Sequence, residues 1–151
     1  MSNRITAAIR AEITRLIDKN DGRLTTDYLV DYARANPESP LYACFTWDDT
    51  AAAVQWRLEQ AKNLMRTYKV RYELGEDKAV TIRGLVSLPS DRGPEHLYRS
   101  FVRVLSNEDQ TAEMIGQAKR ELHAFRTKYE ALERLGKMPG VFAAIGDALD
   151  S

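Results

Sequence analysis

Apolar residues recur at helical spacing from the start of the chain. Ile5, Ile9, Ile13, Leu16 and Ile17 fall on one face, and Asn20-Asp21-Gly22 supplies a stop. Thr25 or Thr26 is placed to cap a second, shorter helix with Leu29, Tyr32 and Ala33 inward. That helix must end before Pro37, because Pro37 and Pro40 fix their own φ and push Asn36 and Ser39 out of the helical region. Thr46-Trp47-Asp48-Asp49 approximates a capping box, with the shorter Asp standing where Glu is usual. Both aspartates suit the positive end of a helix dipole. A long third helix is therefore expected to start near Trp47. Its apolar positions Val54, Leu58, Ala61, Met65 and Tyr68 step by four and three and predict one buried stripe.

The period then changes. Val70, Tyr72 and Leu74 alternate with Arg71 and Glu73, which predicts a half-buried strand. After a turn at Gly75-Glu76-Asp77-Lys78, Val80, Ile82, Val86 and Leu88 form a second alternating run, with Gly84 as a candidate bulge. Ser90-Asp91-Arg92-Gly93-Pro94 reads as an internal boundary, with Pro94 opening a helix that carries Leu97, Tyr98, Phe101, Val102 and Leu105. Ser106 with Asp109 offers a further cap. The next helix repeats Ile115, Ala118, Leu122, Phe125, Tyr129 and Leu132 at three-four spacing, a heptad-like seam on a helix of about seven turns spanning ~40 Å. Gly136 to Gly140 breaks the chain before a short last helix with Val141, Phe142, Ile145 and Leu149.

These elements predict a mainly α protein with one small β-hairpin. Three helices followed by a hairpin is the order of a winged helix-turn-helix, a fold-level analogy. Residues 1–90 are expected to form that winged-helix-like part, and residues 91–151 a helical region for oligomerisation or interaction. One departure is the link from Asn36 to Trp47, far longer than a tight helix-turn-helix turn.

Charge narrows the functional classes. The chain has 22 basic and 22 acidic residues and a formal net charge of zero, which argues against a general nucleic-acid condenser but not against a local basic face. Such a face is suggested by Arg57, Lys62, Arg66, Lys69, Arg71, Lys78 and Arg83, candidate nucleic-acid contacts on the third helix and hairpin. Between Arg57 and Arg71 the only acidic residue is Glu59. Gln55, Gln60 and Asn63 add amides able to read base edges. The competing reading is a solvated helix face. Phe45, Trp47 and Trp56 interleave with this set and suit either base stacking or anchoring a loop to the core, the latter preferred. A symmetric homodimer through the carboxy-terminal seam is expected, and a fold-back of the last helix over that seam is its competitor.

Little points to catalysis or cofactors. His96 and His123 are the only histidines and have no zinc-site spacing. Asp48 and Asp49 read as helix-start residues rather than a metal pair. The single cysteine, Cys44, excludes an intramolecular disulfide and fits a reducing, cytoplasmic setting. No apolar run is long enough to cross a bilayer, and MSNRITAAIRAE does not read as a secretory signal. No cofactor, metal site or enzymatic activity is expected.

The stretch Asn36-Pro37-Glu38-Ser39-Pro40-Leu41-Tyr42, through Phe45-Thr46-Trp47-Asp48-Asp49-Thr50-Ala51-Ala52 to Arg57, Gln60 and Ala61, resembles a family of small uncharacterised proteins encoded by tailed bacteriophages and prophages. Its pattern is NPxSPLHxxFxWDDxxAAxxYRxxQAR. This chain has Tyr42, Trp56 and Lys62 where the pattern has His, Tyr and Arg. The segment Glu121-Leu122…Tyr129…Leu132 is a looser match. The resemblance implies a phage or prophage setting and supplies no chemistry. Together these features lead to the expectation of a phage-type, non-enzymatic DNA-binding protein, with a protein-interaction or structural module as the alternative.

Overall fold

The computed structural model describes residues 4–48 and 50–151, which form two compact units dividing between Asn107 and Glu108. Helices dominate, and the strands are short and antiparallel.

The first unit opens with α1, Ala7–Lys19. Thr6 caps it by accepting a hydrogen bond from the Ile9 N–H, and Ile9, Ile13, Leu16 and Ile17 are buried as their spacing predicts. Asn20 ends the helix, and Asp21 and Gly22 turn the chain at positive φ. A short strand, β1 (Arg23–Thr25), then leads into α2 (Thr26–Ala35), which Thr25 caps. Leu29 and Ala33 of α2 reach the core.

The third helix, α3, spans Ala51–Thr67. Its cap is Thr50, whose hydroxyl accepts from the Ala53 N–H, and not Thr46 as the sequence suggests. Asp49, the other half of the expected capping box, lies outside the described residues. Thr46 has a different task, bonding through both its N–H and its hydroxyl to the Gln60 amide. Trp47 is likewise held in the loop rather than in the helix. Its ring stacks on Tyr42 with centroids 4.9 Å apart, and its indole N–H donates to the Tyr42 carbonyl at 2.9 Å. With Trp47 docked in this way, the helix starts one turn late.

The buried face of α3 is also rotated from the expected stripe. Ala53, Arg57, Ala61, Leu64 and Met65 are buried, whereas Val54 is 46% exposed and Leu58 is half-buried. The three-four period is as predicted, but Arg57 and Leu64 take inward places.

The hairpin forms as expected from β2 (Lys69–Gly75) and β3 (Lys78–Arg83). Gly84 is not a bulge within it. It marks the point where the chain leaves one sheet for another: β4 (Leu85–Val86) pairs with β5 (Leu97–Ser100), and β5 pairs with β1. A Cβ at Gly84 would stand 2.1 Å from the Tyr68 ring, so only glycine admits that ring.

Residues 97–100 are therefore strand, not the start of the helix expected from Pro94, and only Phe101–Leu105 (α4) is helical. Asp91 anchors the preceding turn. Its carboxylate, 2% exposed, accepts from the Leu88 N–H and from two nitrogens of Arg99 on β5. Residues 91–107, assigned by the sequence to the second region, thus pack within the first unit.

The second unit contains α5 (Glu108–Lys128), α6 (Glu130–Arg134) and α7 (Pro139–Asp150). Ser106 does not cap α5; its hydroxyl donates back to the Val102 carbonyl. The expected seven-turn helix is interrupted at Tyr129, so α5 spans about 31 Å rather than ~40 Å. Arg126 and Glu133 pair across the break at 2.6 Å. The last helix packs on α5, with the Phe125 and Phe142 rings 6.3 Å apart, and Phe142 and Ile145 are buried.

Candidate nucleic-acid interface

Three elements converge at the carboxy-terminal end of α3. Tyr68, 2% exposed, ends the helix, and its hydroxyl meets the Thr14 hydroxyl of α1 at 2.7 Å. Thr14 in turn donates to the Arg10 carbonyl one turn earlier. This contact brings the first turns of α1 beside the start of β2. A groove of about 680 Å³ results, lined by Arg4, Ile5, Arg10, Arg66, Thr67, Lys69, Val70, Arg71 and Thr81. Five of these residues are cationic and none is acidic.

The charges there are largely uncompensated. Among the described residues, Arg4, Arg10, Arg66 and Lys69 enter no ion pair, and Arg71 reaches only its neighbour Glu73 at 3.0 Å, where both side chains are exposed. Such an exposed pair is worth little. Lys69 faces Arg83 directly across the hairpin, and Arg71 faces Thr81. These four therefore share one face of the ladder, and like charges standing opposite repel. Together these side chains make the groove strongly cationic.

The basic residues singled out from sequence thus divide. Arg66, Lys69 and Arg71 line the groove, and Arg83 adjoins it through its pairing with Lys69. Lys78 is exposed at the far turn of the hairpin. Lys62 is tied to Glu59 at 2.8 Å, a hydrogen bond that, with Arg66 nearby, holds the Glu59 carboxyl below its ordinary value.

Arg57 does not contribute to any exposed face. It is 3% exposed and donates to the Thr46 carbonyl at 3.0 Å and the Asp48 carbonyl at 2.7 Å. Its guanidinium also lies 5.6 Å from the Trp47 ring centroid. Its place on the helix, four residues before Ala61 and seven before Leu64, is at the edge of the buried stripe, and the loop folded over α3 completes its burial. Sequence reasoning missed Arg4 and Arg10 for the converse reason. They are remote in the chain from α3, and the packing of α1 into the core beside Leu64, Met65 and Tyr68, with the Thr14–Tyr68 contact, brings them in.

A second groove, of about 620 Å³, lies along the outer face of α3. Cys44, Phe45 and Thr46 form one wall, and Trp56, Glu59, Gln60, Asn63 and Arg66 are on the helix side. Arg66 lines both grooves. Burial raises the Cys44 thiol above its ordinary value, and Sγ points at the Pro40 carbonyl, so it is a poor nucleophile.

Among the described residues no group of three His, Cys, Asp or Glu side chains could hold a metal ion, and no helix is long and apolar enough to cross a membrane. Neither a protein-family model, nor a curated protein, nor a solved structure matches this chain.

Proposed function

We propose that this chain is a phage-type, non-enzymatic DNA-binding protein whose first unit holds the phosphate backbone in the groove between α1, α3 and the hairpin. The observation that carries this reading is the gathering of Arg4, Arg10, Arg66, Lys69 and Arg71 around one groove without a carboxylate, in a chain of zero net charge. Cations concentrated in that way release condensed counterions when they meet phosphate, and that release drives binding. The order α1, β1, α2, α3 and hairpin supports a winged helix-turn-helix comparison. The reading also fits the resemblance of residues 36–62 to phage proteins.

The test is fluorescence anisotropy with a labelled duplex at two salt concentrations. Binding should weaken steeply with salt. The Arg66→Ala/Lys69→Ala variant should bind at least about tenfold more weakly, with a salt slope shallower by about one to two units. An unmodified protein that binds no DNA at low salt overturns the reading.

A second reading rests on the other unit. Ile115, Leu135, Met138 and Val141 are each at least 41% exposed there, which favours an interaction module, with self-association through these helices as its simplest form. Light scattering at micromolar concentration tests it, and a monomer refutes self-association.

A further inference from the structure

The two tryptophans have opposite surroundings. Trp47 is enclosed by Tyr42, Phe45 and the guanidinium groups of Arg34 and Arg57, and its indole N–H is satisfied. Trp56 is 56% exposed, and among the described residues it has no ring neighbour and no hydrogen bond. A single exposed apolar residue is unremarkable on a protein surface. Trp56, however, lines a groove whose volume, about 620 Å³, falls within the range of small-molecule sites, about 300–1,000 Å³.

The groove has the parts that an unpaired nucleotide needs. Asn63 lies two helical turns beyond Trp56 on the same face, about 10 Å along the axis, and presents an exposed amide with a donor and an acceptor. Gln60 lies between them but is committed to Thr46, so it shapes the wall rather than reading a base. Arg66 follows Asn63 by one turn and opens into the basic groove. The Glu59 carboxylate also lines the groove, paired with Lys62 at 2.8 Å. An aromatic face, an exposed amide and a cation thus run in line toward a cationic channel, past a carboxylate that Lys62 neutralises. A duplex hides its base faces in the stack, whereas an unpaired base offers one to an aromatic ring.

We propose that the outer groove of α3 holds unpaired nucleotides of a single strand, with a base stacked on Trp56 and the backbone running past Arg66 into the basic groove. This deepens the proposed function and rests on its claim that the basic groove takes phosphate.

The test compares a short oligothymidylate, an oligouridylate of equal length and a duplex of that length. The expected result is tighter binding of a single strand than of the duplex, with quenching of tryptophan fluorescence. The two oligonucleotides separate the DNA and RNA sources of an unpaired base, and quenching by either supports the proposal. Trp56→Ala should weaken single-strand binding about tenfold and abolish the preference over duplex, and Trp56→Phe should restore most of both. Equal binding of strand and duplex, unmoved by Trp56→Ala, overturns the stacking site and leaves the phosphate groove standing. No binding of any of the three overturns the phosphate groove as well. Circular dichroism of both variants verifies that they are folded.

Discussion

The two units use similar sequence patterns to different ends. In the first, Ile13, Leu16, Leu29, Leu41, Leu64, Met65 and Leu85 all reach 0% exposure. In the second, the 21-residue α5 has no buried residue, although its three-four apolar spacing is as regular as that of α3. Periodicity makes one side of a helix apolar; burial requires a second layer to cover it. The first unit supplies that layer from α1, α2, the Tyr42–Phe45 loop and β4. The second has only α7, which buries its own Phe142 and Ile145 against α5 and leaves Phe125 37% exposed. So short a unit has little surface to bury.

The largest expected effect tests that contrast directly. Leu64→Ala removes a fully buried side chain and should cost about 3–4 kcal/mol in urea titrations, whereas Leu122→Ala, half-buried on α5, should cost less than about 1.5 kcal/mol. Equal losses would show that the α5 stripe is covered in solution. If self-association covers it, the unfolding midpoint of the unmodified protein would also rise with concentration.

What could be read from the sequence follows the same division between local and non-local causes. The face of α1, the Thr25 cap and the existence of the hairpin are set by neighbours a few residues away, and each is legible; the fold-back of α7, which joins Phe142 to Phe125, is legible only as an alternative to a dimer. Leu97, Tyr98 and Phe101 fit helical spacing as well as they fit a strand. Only pairing with Arg23–Thr25 and Leu85–Val86 decides for strand at 97–100. The candidate interface was half legible. Arg66, Lys69 and Arg71 lie close together in sequence, but Arg4 and Arg10 join them through the non-local packing of α1 on the core, including the contact between Thr14 and Tyr68. Arg57 was misread because the loop that buries it is irregular and has no period to betray it.

The two tryptophans carry the comparison to a smaller scale. Trp47→Ala should lose about 3 kcal/mol, because its removal unmakes the stack on Tyr42 and uncovers Arg57. Trp56→Ala should change stability by less than about 0.5 kcal/mol, as at other exposed positions. Thermal melts of the two variants side by side check this. A stability loss at Trp56 equal to that at Trp47 would mean that Trp56 is a packing residue.

Gly84 sharpens the account of the first unit, where two sheets meet behind α3. Gly84→Ala should cost about 1–3 kcal/mol, since the new methyl overlaps the Tyr68 ring and that ring is buried with its hydroxyl on Thr14. Gly93→Ala, where a Cβ would have no atom within 4 Å, should be close to neutral. Chemical denaturation of both variants separates close packing from a general intolerance of alanine. A neutral Gly84→Ala would mean that Tyr68 can swing out, and the basic groove would then lose the contact that draws α1 to it.

The smallest effect is a pH dependence at the outer edge of the same unit, where α1 meets α2. The Glu12 carboxylate accepts from Arg15 and from the Tyr32 hydroxyl, and Ser39 approaches it at 3.4 Å. The Arg15 hydrogen bond first, and the Tyr32 bond next, hold the Glu12 carboxyl below its ordinary 4.5. The same carboxylate raises the Tyr32 phenol above its ordinary 10.0, with burial adding to the rise. The signs are opposite. A lowered carboxyl stabilises the fold above pH 4.5, and that contribution disappears as pH falls through the folded value. A raised phenol stabilises it below pH 10, and that contribution disappears as pH rises toward the folded value. Tyr32→Phe should therefore flatten the stability profile at both ends, and Glu12→Gln chiefly at the acid end. Both changes should be small, because the cluster is open to water and Arg15 is 51% exposed, so solvent screens the charges. Urea midpoints measured from pH 3 to pH 11 would show this. A Tyr32→Phe profile parallel to that of the unmodified protein across the range would mean that the cluster does not couple α1 to α2.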